Sequence, residues 1–179
     1  KTLKFQIEDA TKLTFSDNSF DLVYSVSVIE HIYEKYILAI KEMIRVTKSG
    51  GVVYVTFPVA KSFQEEWTEG DVYEKQYKEG NKVFFQYRFD EEKVKEIINE
   101  INKENVKIIN QDIYWERQEG LYDKLIDKIK TKKKNIYINF IKDVWYNFYY
   151  GFYLFNTEGE SDFSQAKSCG NMHIVIQKK

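Results

Sequence analysis

The chain opens with alternating apolar and polar residues and continues into short apolar runs. Residues 3–7 alternate in polarity, which predicts a strand. Residues 20–26 and 52–57 are apolar runs with the length of buried strands. Between these runs, apolar residues over 29–46 recur at helical spacing, and Gly50-Gly51 follow a basic last turn, which predicts the end of the helix. A strand, strand, helix, strand order predicts a parallel sheet in an α/β domain.

The second half of the chain has a less regular pattern. Residues 60–86 are polar and aromatic without a clear period, and they are interpreted as a long loop or a small insertion. Beyond them the pattern predicts, in order, a helix capped by Asp90 and ending at Ile101, a strand over 106–114, helices over 121–134 and 136–155, and a last strand over 172–176.

Composition narrows the class of protein. The 179 residues suit one domain, and a formal net charge of −1 argues against a general nucleic-acid binder. Cys169 is the only cysteine, so no internal disulfide can form, and a reducing cytoplasmic setting is expected. One thiol with two histidines, His31 and His173, argues against a zinc site. No stretch has the pattern of a signal peptide or a clean membrane span.

The most specific signal is the stretch EDATKLTFSDNSFDLVYSVSVIEHI. Asp9-Ala10 follow the first strand, residues 13–23 lead into the next strand, Glu30-His31 open the helix, and residues 45–51 lead into the third strand. In order and spacing these blocks resemble class I S-adenosylmethionine-dependent methyltransferases, especially the small-molecule branch. The resemblance is specific over residues 1–58, weaker over 87–100 and only topological near the C-terminus.

The resemblance implies a cofactor site at the carboxyl ends of the strands. By this resemblance, the Asp9 carboxylate would bind the adenine amino group, and the backbone amide of Ala10 would donate to the adenine ring. It places Ser25 in the pocket of the methyl donor. A carboxylate suits an exocyclic amine, although Asp9 can equally be a turn residue and Ser25 a small buried polar residue.

The same resemblance makes Glu30 and His31 candidate catalytic residues. A histidine can accept a proton from an acceptor oxygen or nitrogen near neutral pH. A purely structural role also fits both residues, because a carboxylate at a helix start suits the helix dipole.

The expected fold class is α/β, a Rossmann-like class I methyltransferase sheet. It would lack the family's first two strands, because neither the glycine-rich loop nor the acidic ribose-binding residue of the family precedes residue 3. The chain is expected to be one partial domain, with cofactor-side strands over 1–58, an acceptor-side insertion over 59–89, and C-terminal helices and strands over 90–179. By itself, such a chain should bind S-adenosylmethionine poorly.

Aromatic residues crowd the stretch after the third strand. In the family this region caps the acceptor, so Trp67, Tyr73, Tyr77 and Tyr87 are candidate substrate-binding residues. The alternative is an insertion that packs its own small core.

Residues 128–155 join a lysine-rich run to an aromatic helix. This segment could lie on a membrane surface or form a homodimer interface, or it could be a core helix. The function expected overall is methyl transfer from S-adenosylmethionine to a small-molecule oxygen or nitrogen acceptor. The competing expectation is a degenerate module that serves as a non-catalytic interaction or regulatory partner.

Overall fold

The computed structural model describes residues 3–69, 76–124 and 154–179. Its elements, in chain order, are β1 (Phe20–Val26), a short 3₁₀ helix (Ile29–His31), α1 (Tyr36–Val46), β2 (Thr47–Val59), β3 (Gln64–Glu69), β4 (Lys78–Glu79), β5 (Lys82–Arg88), α2 (Glu91–Asn102), β6 (Val106–Trp115) and β7 (Gly170–Lys178).

The main sheet has four strands in the order β1-β2-β7-β6. β1 and β2 are parallel, as the helical crossover between them predicts. β7 lies between β2 and β6 and is antiparallel to both. The fold is α/β, as expected, and the sheet is mixed, because β7 is antiparallel to both of its neighbours whereas β1 and β2 are parallel.

One face of the sheet packs against α1 and α2. Alternate residues of β2 and β7, including Val53, Val55 and Ile174, are fully buried because strand side chains alternate between faces. The two helices lie side by side, and Lys41 Nζ of α1 is 2.9 Å from Glu100 Oε2 of α2. Asp90 caps α2 as expected, since its side chain accepts a hydrogen bond from the backbone N–H of Lys93.

The alternating segment 3–7 does not form the predicted strand. Leu3, Phe5 and Ile7 are 76%, 89% and 99% exposed. A strand forms by pairing with a neighbour, and among the described residues no strand lies beside this segment.

The predicted helix over 29–46 is interrupted. A 3₁₀ turn is followed by Ile32 in an extended conformation and by Glu34 at φ 56°. A residue other than glycine rarely adopts that region, so the helix cannot continue through it. The α-helix therefore starts only at Tyr36.

Residues 60–86 also differ from the loop interpretation. They contribute most of a second sheet, with the order β3-β5-β4. The ladder between β3 and β5 shifts register between Glu66 and Trp67, and this irregularity hides the two-residue period in the sequence. The helices predicted over 121–134 and 136–155 fall mainly outside the described residues.

Candidate functional site

Two of the three predicted cofactor residues line an open pocket of about 570 Å³ beside β1. Ala10 and Ser25 both line this pocket, and most of the other lining residues, such as Leu13, Val28 and Met43, are apolar. The Oγ atom of Ser25 is buried and has no hydrogen-bond partner among the described residues. Because a buried hydroxyl normally has a partner, Ser25 is a natural contact for a polar ligand atom.

Asp9 is exposed and is not part of the pocket lining. Its Oδ1 accepts hydrogen bonds from the backbone N–H of Thr11 at 2.8 Å and from Thr11 Oγ1 at 2.7 Å. The backbone N–H of Lys12 also donates to the carbonyl of Asp9. These local hydrogen bonds are those of a turn residue, the alternative role considered for Asp9, which directly precedes Ala10 in the chain.

Two residues of α1 hold this segment against the helix, and the sequence did not single them out for this role. Arg45 donates from Nη2 to the carbonyl of Leu13 at 3.0 Å and from Nη1 to the carbonyl of Phe15 at 2.9 Å. Glu42 Oε2 accepts from the backbone N–H of Leu13 at 2.8 Å. The Arg45 guanidinium also bonds Glu42, which lowers the pKa of that carboxyl. The loop that follows Asp9-Ala10 is therefore fixed by charge-assisted bonds.

Glu30 and His31 are adjacent just past the carboxyl end of β1. Glu30 is 1% exposed, and its Oε2 has no hydrogen-bond partner among the described residues. Burial raises the pKa of the Glu30 carboxyl to about 7. Its Oε1 lies 3.9 Å from His31 Nε2.

His31 also contacts β5. Its Nδ1 lies 2.6 Å from the carbonyl oxygen of Phe85, and the two rings have centroids 5.2 Å apart. The second sheet, which the sequence analysis interpreted as a loop, therefore touches the candidate proton acceptor directly.

Replacing Glu30 by glutamine is expected to stabilise the protein above neutral pH. The carboxyl has an ordinary pKa of 4.5 and a folded-state pKa of about 7. Below pH 4.5 the carboxyl is protonated in both the folded and the unfolded protein, so its burial does not change the free energy of unfolding there. As pH rises from 4.5 to about 7, the carboxyl ionises in the unfolded protein first, and the free energy of unfolding falls. At about 1.4 kcal/mol per pKa unit, Glu30→Gln should raise the free energy of unfolding by about 1–3 kcal/mol at alkaline pH.

Urea unfolding at several pH values measures this effect. The difference between Glu30→Gln and the original protein should shrink on acidification. Glu34→Gln, at an exposed neighbour, is the control and should show no such trend. A difference that stays constant with pH would contradict a buried, titrating Glu30.

The candidate acceptor-side residues form one aromatic cluster with Tyr33 at its centre. Tyr33 stacks on Tyr77 with a centroid distance of 4.0 Å, and its ring centroid is 5.9 Å from Trp67 and 6.2 Å from Tyr87. Tyr87 is buried, and its hydroxyl accepts a bond from the backbone N–H of Glu34 at 3.3 Å. Tyr77 remains 46% exposed.

Three of the four residues named for the acceptor side, Trp67, Tyr77 and Tyr87, are thus brought together, and Tyr73 lies outside the described residues. The cluster packs between the second sheet and the 29–36 segment. It has the character of a small core with one exposed edge. Tyr33 was missed because it lies in a segment that the sequence pattern predicts to be helical.

The segment 128–155, considered for membrane or dimer contact, falls almost entirely outside the described residues. In the part of the chain that the structure does describe, no helix has the length and apolar character needed to cross a membrane.

Comparison with known proteins finds the strongest similarity in the first third of the chain. Residues 1–55 match the family described as Methyltransferase domain. Over 54 residues the chain is 46% identical to 2-methyl-6-phytyl-1,4-hydroquinone methyltransferase of Synechocystis sp.. That match covers 30% of this chain and 17% of the relative.

Two solved structures resemble the whole chain in fold. The [4+2]-cyclase SpnF has a TM-score of 0.55 at 16% identity and covers 97% of this chain. A SAM-dependent methyltransferase from Methanosarcina mazei has a TM-score of 0.51 at 13% identity and covers 98%. The chain spans 56% and 66% of those two proteins, respectively. At these identities the similarity shows the fold, and one of the two proteins is named as a cyclase, so the fold alone does not give the reaction.

Proposed function

We propose that this chain, which has the Rossmann-like fold of class I methyltransferases, forms part of an enzyme that transfers a methyl group from S-adenosylmethionine to a small-molecule hydroxyl or amine. The observation that carries the proposal is the buried Ser25 hydroxyl, which lies in an apolar pocket at the end of β1 and has no hydrogen-bond partner in the part of the chain that the structure describes. The pocket lies within the segment that matches the methyltransferase-domain family. The activity proposed is that of the whole protein, since the chain spans only part of its relatives.

The residues around the pocket fit a nucleoside ligand in part. Ala10 and its apolar neighbours offer a surface for a flat ring, and Ser25 offers a hydroxyl to a polar atom. Asp9 precedes Ala10 in the chain and has a carboxylate suited to an exocyclic amine. We assign cofactor contacts to Asp9, Ala10 and Ser25 on these grounds.

S-adenosylmethionine supplies a methyl group that is already activated by its sulfonium centre, so the protein mainly has to align the acceptor. His31 would accept the acceptor's proton. Glu30, with Oε1 3.9 Å from His31 Nε2, would compensate the resulting positive charge. Trp67, Tyr77 and Tyr87 would exclude water from the acceptor side, together with Tyr73.

A labelled-methyl assay tests the proposal. The natural protein is incubated with methyl-labelled S-adenosylmethionine and a set of phenols and primary amines, and label is measured in the small-molecule fraction. The proposal expects labelled product from at least one acceptor class. A protein that binds the cofactor tightly but transfers no label to any of them would contradict it.

A non-catalytic interaction module is the second candidate, and the exposed outer edge of β1 favours it. Leu22, Tyr24 and Val26 of β1, which also line the pocket, are between 54% and 70% exposed. Among the described residues no strand pairs with this edge. An apolar, unpaired edge is a ready surface for another chain.

The 179-residue chain is therefore expected to self-associate in solution. Light scattering across a dilution series measures this, and the apparent mass should fall as the protein is diluted. Tyr24→Lys places a charge on the exposed edge and should shift the chain toward monomer. Lys95→Gln, on the exposed face of α2, should not. A monomer at all concentrations would contradict the expectation.

A further inference from the structure

We infer that the second sheet, through the backbone carbonyl of Phe85, holds His31 in the Nδ1–H tautomer, so that Nε2 is the nitrogen that accepts the proton in the reaction. The catalytic half of this inference rests on the proposed methyl transfer. The tautomer itself does not depend on it.

The hydrogen bond to Phe85 determines the protonation of the ring. His31 Nδ1 lies 2.6 Å from the Phe85 carbonyl oxygen, which is within hydrogen-bond distance. A carbonyl oxygen can only accept, so Nδ1 must carry the hydrogen. In the neutral imidazole the lone pair is then on Nε2.

The position of the carbonyl is fixed by the packing of β5. On one side, β5 pairs with β3 through the two residues that flank Phe85, in the pairs Gln86–Glu66 and Phe84–Trp67, and the register shift in the ladder falls at Phe85 itself. On the other, the neighbouring Phe84 and Tyr87 are buried in the aromatic cluster around Tyr33. The ring of Phe85 also contacts the imidazole, at a centroid distance of 5.2 Å. The carbonyl therefore belongs to a strand whose residues on both sides of Phe85 are paired or packed.

His31 Nε2 lies 3.9 Å from Oε1 of the buried Glu30 carboxyl. When the acceptor's O–H or N–H bond breaks, its electron pair stays on the acceptor atom for the new bond to the methyl carbon. The sulfur keeps the electron pair of the broken C–S bond, and Nε2 binds the proton. The imidazolium formed still donates through Nδ1 to Phe85, so no bond has to rearrange. The second sheet thus acts as a positioning element for the base.

Two-bond ¹H–¹⁵N NMR of uniformly ¹⁵N-labelled protein, at a pH where His31 is neutral, tests the tautomer. The chain has two histidines, and the His31→Gln variant assigns the signals. We expect the Nδ1–H pattern for His31. His173, whose Nδ1 faces the Tyr54 hydroxyl at 2.8 Å, is the internal reference, and His173→Gln should leave the His31 pattern unchanged. An Nε2–H pattern, or an equal mixture, would overturn the inference.

Two changes at Phe85 distinguish the effect of its backbone carbonyl on His31 from the effect of its ring. Phe85→Ala removes the ring and keeps the carbonyl, so the Nδ1–H pattern should remain. Replacing the amide between residues 85 and 86 by an ester weakens the carbonyl as an acceptor, and the Nε2–H share should rise. An unchanged pattern in the ester, or an inverted one in Phe85→Ala, would refute the role of the carbonyl.

Failure of this inference is distinguishable from failure of the proposed function. If His31 is in the Nδ1–H tautomer but the protein transfers no methyl group, the inference about the tautomer holds and the proposed function fails. If His31 is in the Nε2–H tautomer but turnover depends on it, the proposed function holds and the inference about the tautomer fails.

Discussion

Replacing His31 by alanine is expected to lower turnover by about 10²–10⁴-fold, the range for loss of a general base. The imidazole follows the carboxyl end of β1 and is held by the Phe85 carbonyl, while its other nitrogen lies 3.9 Å from Glu30 Oε1. Removing it takes away the proton acceptor while leaving the pocket lined by Ala10 and Ser25 untouched. Cofactor affinity should therefore change little.

The measurement is kcat of the natural protein and its variants with saturating S-adenosylmethionine, paired with a calorimetric titration of the cofactor. His173→Gln is the matched control, because His173 lies on β7 and contacts Tyr54 and Tyr114 instead of the 29–31 segment. Its turnover should equal that of the original protein. If His31→Ala kept full turnover and full affinity, alignment of the acceptor alone would explain the reaction.

Replacing Arg88 by methionine is expected to cost about 2–4 kcal/mol of unfolding free energy, somewhat below the range for breaking a fully buried ion pair. Arg88 on β5 is buried, with Nε 2.6 Å from Glu66 Oε1 and Nη1 3.0 Å from Asp123 Oδ1. Its guanidinium also lies 5.1 Å from the centroid of the Tyr122 ring. Both carboxylates are partly exposed, so water can solvate them in part when the cation is gone.

Urea unfolding at neutral pH compares the original protein with Arg88→Met and Arg88→Lys. Lysine keeps the charge but lacks the planar fork that reaches two carboxylates, so its loss should be intermediate. If methionine is within about 0.5 kcal/mol of arginine, the range of an ordinary surface substitution, then Arg88 does not join the second sheet to residues 122–123.

Local patterns predicted those elements that depend on local sequence. β1, β2, β6 and β7 contain the segments predicted as strands, although β2 begins at Thr47, before the glycines that were predicted to end the helix, and α2 begins where Asp90 provides a cap. The pairing of β7 with β2 and β6 could not be predicted from these patterns, because the partners are 111–125 positions apart for β2 and 55–72 positions apart for β6. Segment 3–7 shows the converse, since its strand pattern needs a partner that the described residues do not supply.

The motif named candidate residues from local sequence, whereas contacts that depend on the tertiary structure were missed. Ala10 and Ser25 line one pocket, and their contacts with a cofactor stay a prediction. The contact between His31 and Phe85 spans 54 positions, and no local pattern signals it. The Arg45 clamp on the loop after Ala10 likewise joins α1 to a segment about thirty residues earlier.

The central claim is that Asp9, Ala10 and Ser25 bind S-adenosylmethionine. Calorimetric titration of the cofactor into the natural protein and its Asp9→Ala variant tests this most directly, with unfolding curves to confirm that both are folded. The account predicts a loss of about 1–3 kcal/mol in binding free energy, the cost of removing a hydrogen bond to a charged group. Equal affinity in the two proteins would contradict it, and Asp9 would then be only the turn residue that its bonds to Thr11 describe.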